Sequence, residues 1–302
     1  MFNLLGGKGI IRVMRQRLGQ HFLINKSAIE RIIAALDLRK NDTIIEIGPG
    51  EGALTLPLAE EYQKIGCKII AIEKDKNLVQ YLKEKFKDGL DKQNLEIIAG
   101  DALKVLLEIS KRRTLTAKRF KVVGNIPYYI TGKLLRILSE LENKPELIIL
   151  TVQKEVAERV AAQPPKMNLL AAATQIWAEP KIIGYLKPGD FSPPPEVESA
   201  IIKLIPNNNT LPAIARKVLL KKYYALIKIL FKQPRKTILN NLSDGWSANP
   251  PADRHGLPDS ETNQQIKKDE ILKILRSVGL QGNERPQNLS IETIYRLAMT
   301  ID

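Results

Sequence analysis

The sequence predicts a doubly wound α/β domain followed by a small α-helical domain. Three observations carry this. Five short runs rich in β-branched and aliphatic residues recur between Thr43 and Val152, helix-patterned segments separate them, and beyond Pro206 the apolar spacing lengthens to that of helices. Near-continuous apolar strands joined by helices imply a parallel sheet covered on both faces. Residues 1–205 are then the α/β domain and 206–302 the helical one, a division that suits a chain of 302 residues.

In chain order, residues 1–18 read as a basic, glycine-containing arm, with Arg12, Arg15 and Arg17 ahead of GQHFL. From Lys26 to Leu38, the residues Ile29, Ile32, Ile33 and Leu36 recur at helical spacing. The strands follow as TIIEIG (43–48), KIIAIE (68–73), LEIIAG (95–100), FKVVGN (120–125) and ELIILTV (146–152). Two further apolar runs, KIIGYLK and AIIKLI, flank the proline-rich FSPPPEVES and predict an antiparallel pair at the sheet edge. Helical periods then appear in AIARKVLLKKYYALIKILF, KKDEILKILRSVGL and IETIYRLAMTI, and SDGWSANPPADRHGLPDSETNQQ between them reads as a polar, turn-rich loop.

Composition narrows the function. With 44% hydrophobic and 26% charged residues the chain is ordinary globular protein, not a disordered or coiled-coil one. No apolar run approaches the roughly 18 residues of a membrane span, and the start lacks a signal-peptide core, so the expectation is a cytoplasmic protein with no membrane partner. One cysteine, Cys67, and two histidines exclude an intrachain disulfide and the usual zinc ligand sets, so no metal is expected. Nothing in the pattern calls for more than a monomer. The net charge of +14 points to a polyanionic partner. It is concentrated in two acid-free runs: Lys111, Arg112, Arg113, Lys118, Arg119, Lys121, Lys133 and Arg136 within 110–139, and Lys203, Arg216, Lys217, Lys221, Lys222, Lys228, Lys232, Arg235 and Lys236 within 199–243. A solvated surface explains one such run more easily than two.

Open α/β sheets bind ligands outside the carboxyl ends of their strands, and each strand here ends on a chemically useful residue. The first ends in EIGPGEG, where Gly48, Gly50 and Gly52 make either a tight strand-to-helix turn or a loop that lets a ligand approach the backbone. Ala53 stands where a dinucleotide fingerprint has its third glycine, which weakens a dehydrogenase reading. The second strand ends at Glu73, placed to accept hydrogen bonds from ribose hydroxyls. The third ends at Asp101 and Ala102, where the acid is either a helix cap or an acceptor for an adenine amine. The fourth ends in Asn125, Ile126, Pro127 and Tyr128. Pro127 holds Ile126 extended, so the Ile126 carbonyl and the Asn125 amide oxygen can face one planar amine while Tyr128 offers a ring to a flipped base. The other reading of the same residues is an Asx–Pro turn with a packed tyrosine.

Taken in order, GQHFL, EIGPGEG, IEKD, GDA, GNIPYYIT and FSPPPEVESA resemble the ribosomal RNA adenine dimethyltransferases from about Arg17 to Leu204, and PRKTILNNL and ERPQNLS extend the likeness into the tail. The resemblance implies a Rossmann-like class I methyltransferase using S-adenosylmethionine. Its target would be N6 of two adjacent adenosines in a loop near the 3′ end of 16S RNA of the small ribosomal subunit, giving dimethyladenosine. His21 and Leu23 would border the cofactor, Gly48 with Gly50 its methionine part, Glu73 the ribose, Asp101 and Ala102 the adenine. Asn125 would face cofactor and target amine together, and Phe191 would close the base pocket opposite Tyr128. FSPPPEVESA and the tail look more like the small-subunit enzyme than its macrolide-resistance relatives acting on large-subunit RNA. That relative is one alternative, and a non-catalytic RNA-binding or ribosome-assembly factor is another. DNA adenine methylases usually carry an acid in place of Asn125. Two positions depart from the family pattern: His21, where many members have Asn, and Tyr129, where small polar residues are common.

Overall fold

The computed structural model describes residues 20–87, 94–111, 120–207, 213–246 and 261–301. The arm at 1–18, the basic residues Arg112, Arg113, Lys118 and Arg119, and most of the polar loop fall outside them. Two compact units divide the chain: residues 1–158 with 178–207, and residues 159–177 with 208–302. Grouping of 159–177 with the tail differs from a single junction near residue 205, and it follows from apolar helices inserted between the last parallel strand and the edge pair.

The first unit is built on a seven-stranded sheet. Strands β2 (Thr43–Ile47), β3 (Lys68–Glu73), β4 (Leu95–Ala99), β5 (Phe120–Asn125), β6 (Leu147–Gln153), β7 (Ala178–Leu186) and β9 (Ser199–Pro206) lie in the order β4-β3-β2-β5-β6-β9-β7. Strands β2 to β6 are parallel, and β9 runs antiparallel between β6 and β7, so the doubly wound plan and the antiparallel edge pair are both present. The order reverses beside β2, whose neighbours are β3 and β5. That reversal opens a crevice at the carboxyl ends of the strands. Helices α1 (Lys26–Ala35), α2 (Thr55–Ile65), α3 (Lys76–Lys85), α4 (Ala102–Ile109) and α5 (Thr131–Glu140) connect them. Ala28 and Ile32 of α1 and Leu58 of α2 join Ile44, Ile69, Ile149 and Ile201 in the core. A two-residue pair, β1 (Phe22–Leu23) with β8 (Phe191–Ser192), ties residues 22–23 to the segment after β7.

Strand β2 is buried at all five positions, one of which is Glu46. Burial pushes this carboxyl from its ordinary 4.5 up to about 8, against a hydrogen bond from Thr55 Oγ1 at 2.8 Å and with a small push from Glu73. The folded chain therefore keeps a proton that the unfolded chain releases, so the contribution of Glu46 to stability is most favourable below pH 4.5 and declines as pH rises toward 8. In urea unfolding, Glu46→Gln should be more stable than the native sequence at pH 8 by a few kcal/mol, roughly, with the difference vanishing near pH 4. Equal stability at pH 8 would contradict this burial cost.

In the second unit, α8 (Ala213–Leu230), α9 (Ile238–Trp246), α10 (Glu261–Ser277) and α11 (Ile291–Thr300) accompany α7 (Leu169–Gln175), with α6 (Lys154–Val160) crossing the junction. Tyr223 and Tyr224 of α8 donate to the carbonyls of Ala172 and Ala173 at 3.1 and 3.2 Å, which ties residues 159–177 to the tail. The polar loop read from the sequence is shorter than expected, because α9 extends to Trp246 and α10 begins at Glu261. Among the described residues no helix is long and apolar enough to cross a membrane.

Candidate active site

Four strand ends converge on one cavity of about 360 Å³, within the usual range of small-molecule sites. Gly48 and Gly50 after β2, Glu73 at the end of β3, Asp101 and Ala102 after β4, and Asn125, Ile126, Pro127 and Tyr128 at the end of β5 all line it, together with His21 and Phe22.

The glycine loop is shaped by what approaches it. Gly48 and Gly50 have φ of +66° and +59°, the left-handed region that side chains resist. A Cβ on Gly50 would lie 2.4 Å from the Phe22 ring, so the glycine also admits that ring into the wall. Glu73, 4% exposed, binds the loop from below. One carboxylate oxygen accepts from Gly50 N at 3.1 Å and the other from Lys74 N at 2.8 Å and Asp75 N at 2.9 Å. Burial pushes its pKa up while those three N–H groups oppose the shift. A carboxylate has about four acceptor positions, so three backbone donors leave one for a ligand hydroxyl.

Of the two roles read for Asp101 from the sequence, the helix cap is present in the structure. The residue caps α4 by accepting from Leu103 N at 2.9 Å, and it lines the cavity. Capping occupies Oδ1 and leaves Oδ2 without a partner among the described residues, in a residue that lines the cavity together with Ala102.

At the end of β5, Asn125, which lines the cavity, donates from Nδ2 to the His21 carbonyl at 2.6 Å, and this holds the amide plane while leaving Oδ1 without a donor among the described residues. Ile126 N donates to the Thr151 carbonyl at 3.1 Å. Among the described residues neither Asn125 Oδ1 nor the Ile126 carbonyl accepts a hydrogen bond, so two consecutive residues of the cavity lining each keep an unused acceptor. Tyr128 is placed by a 2.7 Å hydrogen bond between its hydroxyl and Ser199 Oγ and by a stacked contact with the His21 ring, centroids 6.0 Å apart at 24°. Burial raises its phenol pKa, against the Ser199 bond, so it stays neutral.

His21 thus has a definite setting: Nδ1 lies 2.9 Å from the Pro193 carbonyl, its ring stacks on Tyr128 and its own carbonyl anchors Asn125. Leu23 and Phe191 are placed elsewhere. They are register partners in the β1–β8 pair, 2% and 3% exposed, and belong to the core cluster and not to the cavity wall. The strand alternation that turns Leu23 inward turns Phe22 toward the cavity. Sequence reading missed Phe22 and Ser199; the first sits in a strand too short for periodicity, and the second acts from 71 residues away.

The basic runs divide. Lys121 is no surface residue: it is 1% exposed and pairs with Asp42 at 2.8 Å. It lies near the start of β5, the middle strand of the sheet, between β2 and β6. Lys111, Lys133, Lys221, Lys222, Lys228, Lys232, Arg235 and Lys236 are exposed, Lys236 pairing with Asp244 at 3.0 Å. Among the described residues no group of three His, Cys, Asp or Glu side chains is arranged to hold a metal ion.

The family described as Ribosomal RNA adenine dimethylase matches residues 11–279. Among similar proteins, one named Ribosomal RNA small subunit methyltransferase A from Dehalococcoides mccartyi is 38% identical over 280 residues, covering 92% of this chain and 85% of its own. Another of that name, from Alkaliphilus metalliredigens, is 34% identical over 286 residues, covering 94% and 90%. A dimethyladenosine transferase from Plasmodium falciparum has the same fold, with TM-score 0.70 and 24% identity over 92% of this chain and 96% of its own. So does the 23S rRNA methyltransferase ErmE, with TM-score 0.64 and 23% identity over 93% and 99%.

Proposed function

The chain belongs to the ribosomal RNA adenine dimethylase family, and on that premise we propose how its own residues carry out the reaction. It transfers methyl groups from S-adenosylmethionine to N6 of adenosine in small-subunit ribosomal RNA, giving dimethyladenosine. The name shared by relatives 31–38% identical over nearly the whole chain supports the small subunit. The large-subunit alternative has only a likeness of fold behind it. The observation that carries the reading is the pair of unused acceptors, Asn125 Oδ1 and the Ile126 carbonyl, at the wall of a cavity that also holds Gly48, Glu73 and Asp101.

The donor set fits S-adenosylmethionine. Glu73 has one acceptor position left for a ribose hydroxyl, Asp101 Oδ2 beside Ala102 suits an adenine amine, and the left-handed glycines let the methionine part lie against backbone. When bound, the cofactor supplies a methyl already activated by a positively charged sulfur, so neither a metal nor a covalent protein intermediate is required.

The protein's task is to position the acceptor. Adenine N6 is a weak nucleophile because its lone pair is delocalised into the ring. Accepting both N6 hydrogens at Asn125 Oδ1 and the Ile126 carbonyl favours a more tetrahedral nitrogen and aims its lone pair away from those acceptors. Tyr128 stacks on the base, held in place by Ser199 and His21. Orientation of this kind can supply about 7 to 11 kcal/mol for well-aligned groups. The released proton passes to water. Base flipping costs a few kcal/mol and least for an unpaired base, which favours the two adjacent loop adenosines near the 3′ end of 16S RNA over a duplex. The enzyme acts in the cytoplasm as a monomer, with its ribosomal substrate.

Exposed lysines of α8 and of the segment after it supply phosphate contacts, so RNA binding should weaken steeply with salt. Lys121→Met should leave that salt slope unchanged while lowering stability by about 3 kcal/mol, because it strands Asp42 in the interior. A reduced slope with unchanged melting would return Lys121 to the RNA surface. The cofactor assignment is tested by calorimetric titration: S-adenosylmethionine should bind one to one and nicotinamide dinucleotide should not. Binding of the nicotinamide dinucleotide alone would overturn it.

A further inference from the structure

We propose that Tyr129 and Lys133 form a second nucleotide subsite at the cavity mouth, for the nucleotide that flanks the target adenosine in single-stranded RNA; this rests on the adenosine-methylating reading above. Tyr128 and Tyr129 are adjacent in sequence but face different surroundings. Tyr128 is tethered inward through Ser199, whereas Tyr129 is 71% exposed and still borders the cavity. The backbone explains the split: a single 3-10 turn over Tyr128–Ile130 runs directly into α5, so successive side chains fan apart at the rim. Lys133 follows four residues after Tyr129, in the first turn of α5. It is exposed and forms no ion pair among the described residues, unlike Arg136 in the next turn, which is paired with Glu140 at 2.6 Å.

An exposed ring and, four residues on, an exposed lysine with no ion pair among the described residues match a nucleotide's two recognisable parts, its base face and its phosphate. Moving an adenosine out of its strand removes a stacking partner from the bases beside it. A ring at the mouth restores that partner, and single-stranded RNA is commonly held by stacking on aromatic side chains with a cation near the backbone. Tyr128 thus stacks on the target and Tyr129 on its neighbour, while Lys133 meets the intervening phosphate. The subsite lets the enzyme grip a flexible loop without reading its sequence.

The test is methylation kinetics on small ribosomal subunits lacking adenine dimethylation, with the full chain carrying Tyr129→Ala, Tyr129→Leu, Tyr129→Phe or Lys133→Gln. Tyr129→Ala should raise KM for the subunit about 5- to 100-fold, the span of one lost base–aromatic stack. Its kcat should fall far less and its S-adenosylmethionine affinity stay within about twofold. Tyr129→Phe should restore KM and Tyr129→Leu should not, because only an aromatic face stacks. Lys133→Gln should reduce the slope of log affinity against log salt by about one. An unchanged KM in Tyr129→Ala, or rescue by leucine as good as by phenylalanine, overturns the stacking role, and an unchanged salt slope overturns the phosphate contact. If the native chain methylates no subunit, the underlying reading fails and the subsite fails with it. If it does methylate, the variants judge the subsite alone.

Discussion

Alanine in place of Asn125 should lower methyl-transfer turnover between about ten- and a thousandfold, the span set by losing one hydrogen bond to a reacting group and one preorganised transition-state contact. The residue does two jobs at once. Its Oδ1 is one of two acceptors available to the target amine, and its Nδ2 holds the His21 carbonyl at 2.6 Å, keeping both the amide and the stacked His21 ring in place. The Ile126 carbonyl survives the substitution, so the adenine still has one acceptor but no longer a pair that fixes the nitrogen's geometry. S-adenosylmethionine affinity should change much less, because Glu73 and Asp101 are untouched. Asn125→Asp separates the two jobs: it keeps an acceptor but sets an oxygen against the His21 carbonyl, so it should also be poorly active. Single-turnover assays with labelled cofactor, alongside cofactor titration, measure both effects. Full activity in Asn125→Ala would remove the amine-holding role from this residue.

The second large effect concerns Glu73. Glu73→Gln should weaken S-adenosylmethionine binding about ten- to a hundredfold, in line with the worth of a charged hydrogen bond. The native carboxylate accepts from Gly50, Lys74 and Asp75 and has no donor of its own. An amide in its place can keep the two bonds to Lys74 and Asp75, but its NH2 then points at Gly50 N, donor against donor. The glycine loop is pushed outward and the acceptor for a ribose hydroxyl is lost together. The same loop is limited on its other side by the Phe22 ring against Gly50, so it has little room to adjust. Titration of the purified variant reads the loss directly. Unaltered affinity would move the ribose contact away from β3.

Much of this arrangement was legible in the sequence because it is local. Buried parallel strands announce themselves as β-branched runs, and Gly48, Glu73, Asp101 and Asn125 each end such a run or follow it within two residues, so finding the strands found the cavity wall. The long-range features were not legible. The β1–β8 pair has two residues on each side, too few for any period, and it decides that Leu23 and Phe191 pack inward while Phe22 faces the cavity. The Tyr128–Ser199 bond joins residues far apart in the chain and depends on how β9 inserts beside β6. Lys121 misled through its charge alone: within a basic run it looks like surface, and only the sheet register shows it buried against Asp42. Residues 159–177 were silent because their apolar content fits either unit until Tyr223 and Tyr224 bind the carbonyls of Ala172 and Ala173.

The most direct measurement is transfer of labelled methyl from S-adenosylmethionine to small and large ribosomal subunits lacking adenine dimethylation, followed by nucleoside analysis of each RNA. Dimethyladenosine in small-subunit RNA is the predicted product, lost in Asn125→Ala. Label in large-subunit RNA alone, or no label from a chain that still binds the cofactor, would contradict the assignment.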